Sequence, residues 1–187
     1  MRLAYSFGGE LMLQPPSNDR IGEAIFSADG VYRWILTRNM GGARPLVICG
    51  LNPSTADASK PDRTISKECG FAKRWGYTWL IKVNAYGFKE TKPALMWKAA
   101  KAGTDIVGAL NDAAIAFAAR LAREHDGRFF VAWGGHAKRE RVEQIVKLLD
   151  GTPLWCFARN DDGSPGHPLY LSWETQPQPW TAPAVPA

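Results

Sequence analysis

The chain predicts an α/β fold built on a mostly parallel sheet, and three observations carry that expectation. From residue 46 to residue 157, strand-like apolar runs and helical periodicities follow one another as strand–helix–strand–helix–strand–helix–strand. The runs Leu46–Leu51, Trp79–Asn84, Arg128–Trp133 and Leu154–Phe157 are short and rich in apolar residues, as strands buried on both faces are. Each run gives way to a polar or glycine-containing turn, the place where an open parallel sheet presents its ligand site. The expected architecture is a three-layer α/β/α sandwich around a central four-stranded sheet.

The elements follow in order. Residues 1–30 are weakly patterned: Leu3–Phe7 and Leu11–Leu13 suit short strands or a loop-rich cap, with Pro15–Asp19 a loop. Val31–Arg38 alternates and is rich in aromatic and β-branched residues, which predicts a strand near an edge. Asn39–Arg44 is a glycine-containing turn, and Leu46–Leu51 is the central strand. Asp62 is a fitting N-cap for a helix carrying Ile65, Cys69, Ala72 and Trp75 on one face and stopped by Gly76. After the strand Trp79–Asn84, Pro93 opens a short helix to Ala102. A longer helix is expected over Asp105–Glu124, a strand over Arg128–Trp133, an amphipathic helix over His136–Leu149 and a last strand over Leu154–Phe157. Asn160–Pro168 is a polar, glycine-containing loop. One domain is expected over residues 1–174, with the motifs between about 30 and 172. Residues 175–187 form a proline- and alanine-rich tail expected to be disordered.

Bulk properties narrow the function. With 187 residues and 45% apolar side chains, the chain can bury a core without staples. Its three cysteines have neither disulfide-framework nor metal spacing, so a reducing cytoplasm is the expected compartment, with no metal and no cofactor. There is no signal-peptide pattern and no run of the roughly 20 apolar residues that a membrane span needs. The net charge of +5 tolerates a polyanionic partner, and eight tryptophans suit base stacking. No phosphate-loop motif occurs, and Ser54, a conceivable nucleophile with His167, lacks the Gly-x-Ser-x-Gly elbow.

The stretch Gly50-Leu51-Asn52-Pro53-Ser54-Thr55-Ala56-Asp57 concentrates chemistry at one strand end. Pro53 restricts Asn52 to an extended conformation and cannot continue the ladder. Three further stretches fall at strand ends or in the loop after the last strand: Asn84-Ala85-Tyr86-Gly87-Phe88, Trp133-Gly134-Gly135-His136, and Gly166-His167-Pro168-Leu169-Tyr170. Asp57 and Asp62 serve either such a site or only the turn and helix they begin. Near the start of the expected helix 136–149, Lys138, Arg139 and Arg141 oppose the helix dipole. A bound phosphate would relieve them.

These motifs, in this order, resemble a bacterial and phage family, the domain of unknown function 1643. The shared stretches are Gly50–Asp57, Asp62-Arg63-Thr64-Ile65, Trp75-Gly76-Tyr77, the strand ending in Asn84, Ala132-Trp133-Gly134, and His167-Pro168-Leu169-Tyr170-Leu171. That family is in turn similar to the uracil-DNA glycosylase superfamily. Gly50-Leu51-Asn52-Pro53, Asn84, Trp133-Gly134-Gly135-His136-Ala137 and His167-Pro168 match its site motifs, although the serine that usually follows His-Pro is replaced by Leu169.

The resemblance implies DNA or a nucleotide as partner, and hydrolysis of an N-glycosidic bond in DNA repair or phage DNA modification. His167 would donate to the base oxygen where negative charge develops, while Asn52, Asp57 or Asp62 would hold a water under the sugar. Asn84 would pair with the edge of an unstacked base, with Tyr86 or Phe88 stacking on it. Pro53, Ser54, Thr55, Trp133, Gly134 and His136 would complete the base pocket. Asn52 does not titrate, so the alternative is a non-catalytic base- or nucleotide-binding module.

Overall fold

The computed structural model describes residues 22–54 and 62–183. The expected strands at 1–13, and the site candidates Thr55 and Asp57, lie outside the described residues. Seven strands form one sheet: β1 (Ala24–Phe26), β2 (Arg33–Asn39), β3 (Pro45–Gly50), β4 (Trp79–Asn84), β5 (Arg128–Val131), β6 (Leu154–Cys156) and β7 (Gln178–Pro179). Their spatial order is β1-β2-β4-β3-β5-β6-β7. The central four, β4-β3-β5-β6, are parallel. They are the four strands expected from the sequence, but the sheet does not stop with them. Two antiparallel strands extend it beyond β4 and one beyond β6.

Helices cover both faces because the strands alternate. Leu46 and Ile48 of β3 and Leu80 of β4 join Ile65, Phe71 and Ala72 of α1 (Arg63–Arg74) in one core. Val47, Cys49, Ile81 and Val83 face the other way. They pack with Ala114, Ile115 and Ala118 of α3 (Asn111–Glu124), Met96 of α2 (Pro93–Lys101) and Ile145 of α4 (Arg139–Leu148). Asp62 caps α1 as expected, its Oδ1 accepting from Ile65 N at 2.8 Å.

Three expectations need correction. The helix expected from Asp105 begins at Asn111, because Asp105 Oδ1 accepts from the Val107 and Gly108 amides in a tight turn and Gly108 sits at φ +82°. The helix expected from His136 begins at Arg139. Gly134 at φ +68° starts a single 3₁₀ turn, Gly134–His136, and the chain is extended at Ala137 and Lys138 before it winds again. Finally, residues 175–183 are not a disordered tail. Gln178–Pro179 pairs with β6, and Trp180 is buried edge-on against Trp133 with its Nε1 donating to Gly163 O at 3.2 Å. One large indole supplies docking area that the surrounding prolines and alanines do not advertise.

Candidate site: a polar cleft at the strand ends

A cleft of about 390 Å³ opens at the carboxyl ends of β3, β4 and β5. Eight of the residues singled out from the sequence line it: Asn52, Ser54, Asp62, Asn84, Trp133, Gly134, His136 and His167. They arrive from four separate stretches of chain, brought together by the parallel sheet.

The floor is built on β4. Asn84 is 1% exposed, and its backbone is held because Asn111 Nδ2 donates to Asn84 O and Ala85 O at 3.0 and 3.1 Å. Its own side-chain Oδ1 and Nδ2 are buried without a hydrogen-bond partner among the described residues. A buried amide with neither end paired costs about 1–3 kcal/mol per unmet group, which marks the position as one the fold alone does not explain. Beside it lies Lys82, two residues back and on the same strand face. Both side chains pass over Gly50, where a Cβ would stand 2.9 Å from Lys82 Nζ and 3.0 Å from Asn84 Oδ1. Gly50 is glycine because these two groups occupy the room a side chain would need.

Lys82 donates to Glu68 Oε1 from α1 in a buried ion pair. Glu68 is fully buried, its Oε2 has no partner among the described residues, and desolvation raises its pKa against the opposing pull of Lys82. Arg33, on β2, is also buried in the cleft wall and donates to Ser54 O at 3.4 Å. Desolvation lowers its pKa to about 10 although Asp62 and Glu68 lie nearby. Lys82, Glu68 and Arg33 belong to none of the sequence motifs. The available signal was a charged residue at an inward position of an apolar strand or helix face, as at Lys82 between Ile81 and Val83.

The wall carries the ionised carboxylate. Asp62 caps α1 with one oxygen and accepts from Ser54 Oγ at 2.5 Å with the other. Burial pushes its pKa up, but Ser54, the Ile65 amide, Lys82 and Arg33 together outweigh that and hold it below the usual carboxylate value. His167 sits across the cleft at the start of the short 3₁₀ turn Pro168–Tyr170, beside the exposed ring of Tyr170. Desolvation and the Lys82 charge pull its pKa down to about 4, against a smaller upward effect of Asp62. Near neutrality the imidazole is therefore uncharged. Its Nδ1 accepts from Leu169 N at 3.4 Å, and this bond assigns the proton to Nε2.

Other candidates are placed differently. Asn52 lines the cleft, but its Nδ2 donates to Glu90 O at 2.5 Å and Pro53 O at 3.3 Å, so the amide hydrogens tie down the loop around Glu90. Only its Oδ1 is left for a water. Pro53 is buried, and its carbonyl accepts from Glu90 N at 3.0 Å. Tyr86 is not a stacking platform. It is buried on the opposite face against Trp97, and its Oη accepts from Lys138 N at 3.1 Å. Phe88 packs edge-on against Tyr32, also away from the cleft. Nor do Lys138, Arg139 and Arg141 form a phosphate site. Lys138 lies over the Trp97 ring and Arg139 pairs with Glu143. Arg141 is 5% exposed, with Nε donating to Ala85 O at 2.7 Å and Nη2 to Asp112 at 2.5 Å. Among the described residues, no group of three or more His, Cys, Asp or Glu side chains is arranged to hold a metal ion, and no helix is long and apolar enough to cross a membrane.

Fold and cleft together define the class: a mixed α/β protein with a polar pocket at the carboxyl ends of its parallel strands. The chain belongs to the family described as a protein of unknown function (DUF1643), whose model matches residues 33–169. That span takes in the cleft from Arg33 to His167. No curated protein and no solved structure matches the chain.

Proposed function

We propose that the cleft holds a nucleobase, and that the protein is a uracil-DNA glycosylase-like three-layer α/β/α protein acting on a base in DNA or in a nucleotide. The observation that carries this reading is the Asn84 side chain, a buried amide with a free donor and a free acceptor side by side at the cleft floor. A nucleobase edge, which also sets a donor beside an acceptor, is the complement of that pattern. A cavity of about 390 Å³ is of a size to take one heterocycle with its sugar.

Hydrolysis would use the remaining lining groups. Water held by Asn52 Oδ1 or by the Asp62 carboxylate attacks the anomeric carbon. The C–N bond breaks, its electron pair leaves on the base, and the water's proton passes to Asp62 or solvent. The neutral His167 donates from Nε2 to the base oxygen that gains charge. A second reading, a base-binding module without catalysis, is favoured by one specific feature: both Asp62 oxygens and both Asn52 amide hydrogens are already engaged within the protein.

The test is incubation with DNA carrying uracil, mismatched thymine or modified pyrimidines, followed by detection of abasic sites. Cleavage abolished in Asn84→Ala and reduced about 10²-fold or more in His167→Ala supports the enzyme. Base-dependent binding without abasic product on any substrate supports the module. No binding of any base, free or in DNA, overturns both.

A further inference from the structure

The cleft contains a cation that neither the motifs nor the proposed reaction uses. Lys82 is 6% exposed and lines the floor beside Asn84. An ammonium has three donor hydrogens, and among the described residues one of them is bonded, to Glu68. Glu68 in turn is enclosed on α1, with no exposure and an unpaired second oxygen. A charge pair in this setting loses solvation at both ends, and a pair of apolar side chains would hold the same space at no greater cost. Because Gly50 has no side chain, the ammonium lies next to the amide edge of Asn84. Across the cleft, His167 is neutral, in part because the Lys82 charge reaches it. The other ionic wall groups are committed elsewhere: Asp62 to Ser54 and Ile65, Glu90 to the Lys92 amide, and Arg33 toward Ser54.

We propose that Lys82, positioned by Glu68, is the anion-stabilising group of this cleft, and that the ligand binds with negative charge on the heteroatom edge that meets Asn84. The ligand class is thereby narrowed to heterocycles with an acidic lactam or imide N–H, bound preferentially as the conjugate base. This rests on the nucleobase reading and adds a residue and a charge state to it. The physical reason is that an ammonium in a partly desolvated floor interacts far more strongly with a developing or full negative charge than with a neutral carbonyl. Glu68 fixes where that ammonium stands. It also keeps the pair neutral as a unit when the cleft is vacant.

The experiment is a binding series with uracil, 5-fluorouracil and 5-nitrouracil, which rise in N–H acidity, and 1,3-dimethyluracil, which has no ionisable N–H. Tryptophan fluorescence or calorimetry at pH 7 reads the affinity. Affinity should climb along the acidic series, by up to about tenfold for each unit fall in ligand pKa. The dimethyl compound should bind weakest. Lys82→Met alone strands Glu68 in the interior, so the decisive variant is the double replacement Lys82→Met with Glu68→Leu, which removes both charges and keeps the volume. In this variant the gain in affinity across the series should disappear.

A flat series in the unaltered protein, or an unchanged series in the double variant, overturns the role of Lys82 and leaves base binding standing. Absence of binding by every base overturns the nucleobase reading and this inference with it. Failure of the double variant to melt cooperatively shifts the test to Lys82→Arg, which keeps the charge and should preserve the gradient. A gradient lost there overturns the proposal.

Discussion

Two buried polar clusters flank the end of β4, one on each face of the sheet, and they spend their hydrogen bonds in opposite ways. On the α3/α4 side, Arg141 and Asn111 direct their donors at the backbone carbonyls of Asn84 and Ala85, Arg141 is further tied to Asp112, and one acceptor, Asn111 Oδ1, is left without a partner among the described residues. On the α1 side, both side-chain polar atoms of Asn84 and Oε2 of Glu68 have no partner among the described residues, and Asn84 and Lys82 line the cleft. The first cluster replaces ladder hydrogen bonds where the strand runs out, so its polarity is structural. The second is polarity without a structural creditor, and a ligand is the partner that completes it. Burial and charge alone do not separate the two. The bond inventory does.

The largest effect expected on this comparison is at Glu68. Glu68→Ala leaves the Lys82 ammonium buried without its carboxylate and should cost about 3–5 kcal/mol in urea unfolding. Replacing both partners with Leu and Met should return stability to within about 1–2 kcal/mol of the original. A cost in the single variant no greater than that of a surface substitution would show that the pair is open to water and would remove the contrast between the clusters. Next in size is Arg141→Leu. It strips Ala85 O of a charge-assisted bond and should cost about 2–3 kcal/mol. It should also loosen Asn84, so base affinity falls with it. Loss of stability without any loss of affinity would separate the two faces of β4.

Asn84→Ala reverses the pattern. It removes two unpartnered buried polar atoms, so stability should stay level or rise by about 1 kcal/mol, while base binding falls by about 1–3 kcal/mol. A destabilised Asn84→Ala protein would mean that the amide finds partners inside the fold and belongs with the structural cluster.

What was legible in the sequence follows from the same contrast. The four parallel strands and the strand-end positions of Asn52, Asn84, Trp133 and His167 were readable, because apolar runs and turn residues are local signals. Tyr86 and Phe88 were misplaced for a geometric reason. Alternation puts Asn84 on the cleft face, but the strand ends there, and beyond it the period of two no longer says which way a side chain points. Arg141 reads, with Lys138 and Arg139, as one of three cations near the start of the expected helix 136–149, yet it is buried and bonded to Ala85 O and Asp112, partners that lie far away in sequence. Lys82 and Glu68 lie 14 residues apart and meet only when α1 docks on β4. Neither residue announces the other in sequence. The short strands β1 and β7, and Trp180 against Trp133, likewise depend on pairings that composition hides, whereas β2 was legible as the alternating run Val31–Arg38.

The smallest expected effect is also the most direct check on the charge layout of the cleft. His167 has a folded-state pKa near 4 against an ordinary value of 6.5, so between those values the unfolded chain binds more protons at this position. Its contribution to stability is complete above about pH 6.5, falls as pH drops toward 4, and changes no further below that. The imidazole resonances in an NMR titration should therefore stay in their neutral positions down to about pH 5, and base binding through Nε2–H should show no break near 6.5. Lys82 and Asp62 act on this ring in opposite senses, while desolvation sets the larger part of the shift. The double replacement Lys82→Met with Glu68→Leu removes the repulsion and keeps Asp62, so the His167 midpoint should move upward. A midpoint already near 6.5 in the unaltered protein would show that neither desolvation nor the Lys82 charge acts on His167, which is an exposed residue. An unmoved midpoint in the double variant would place Lys82 too far away to share a ligand with it.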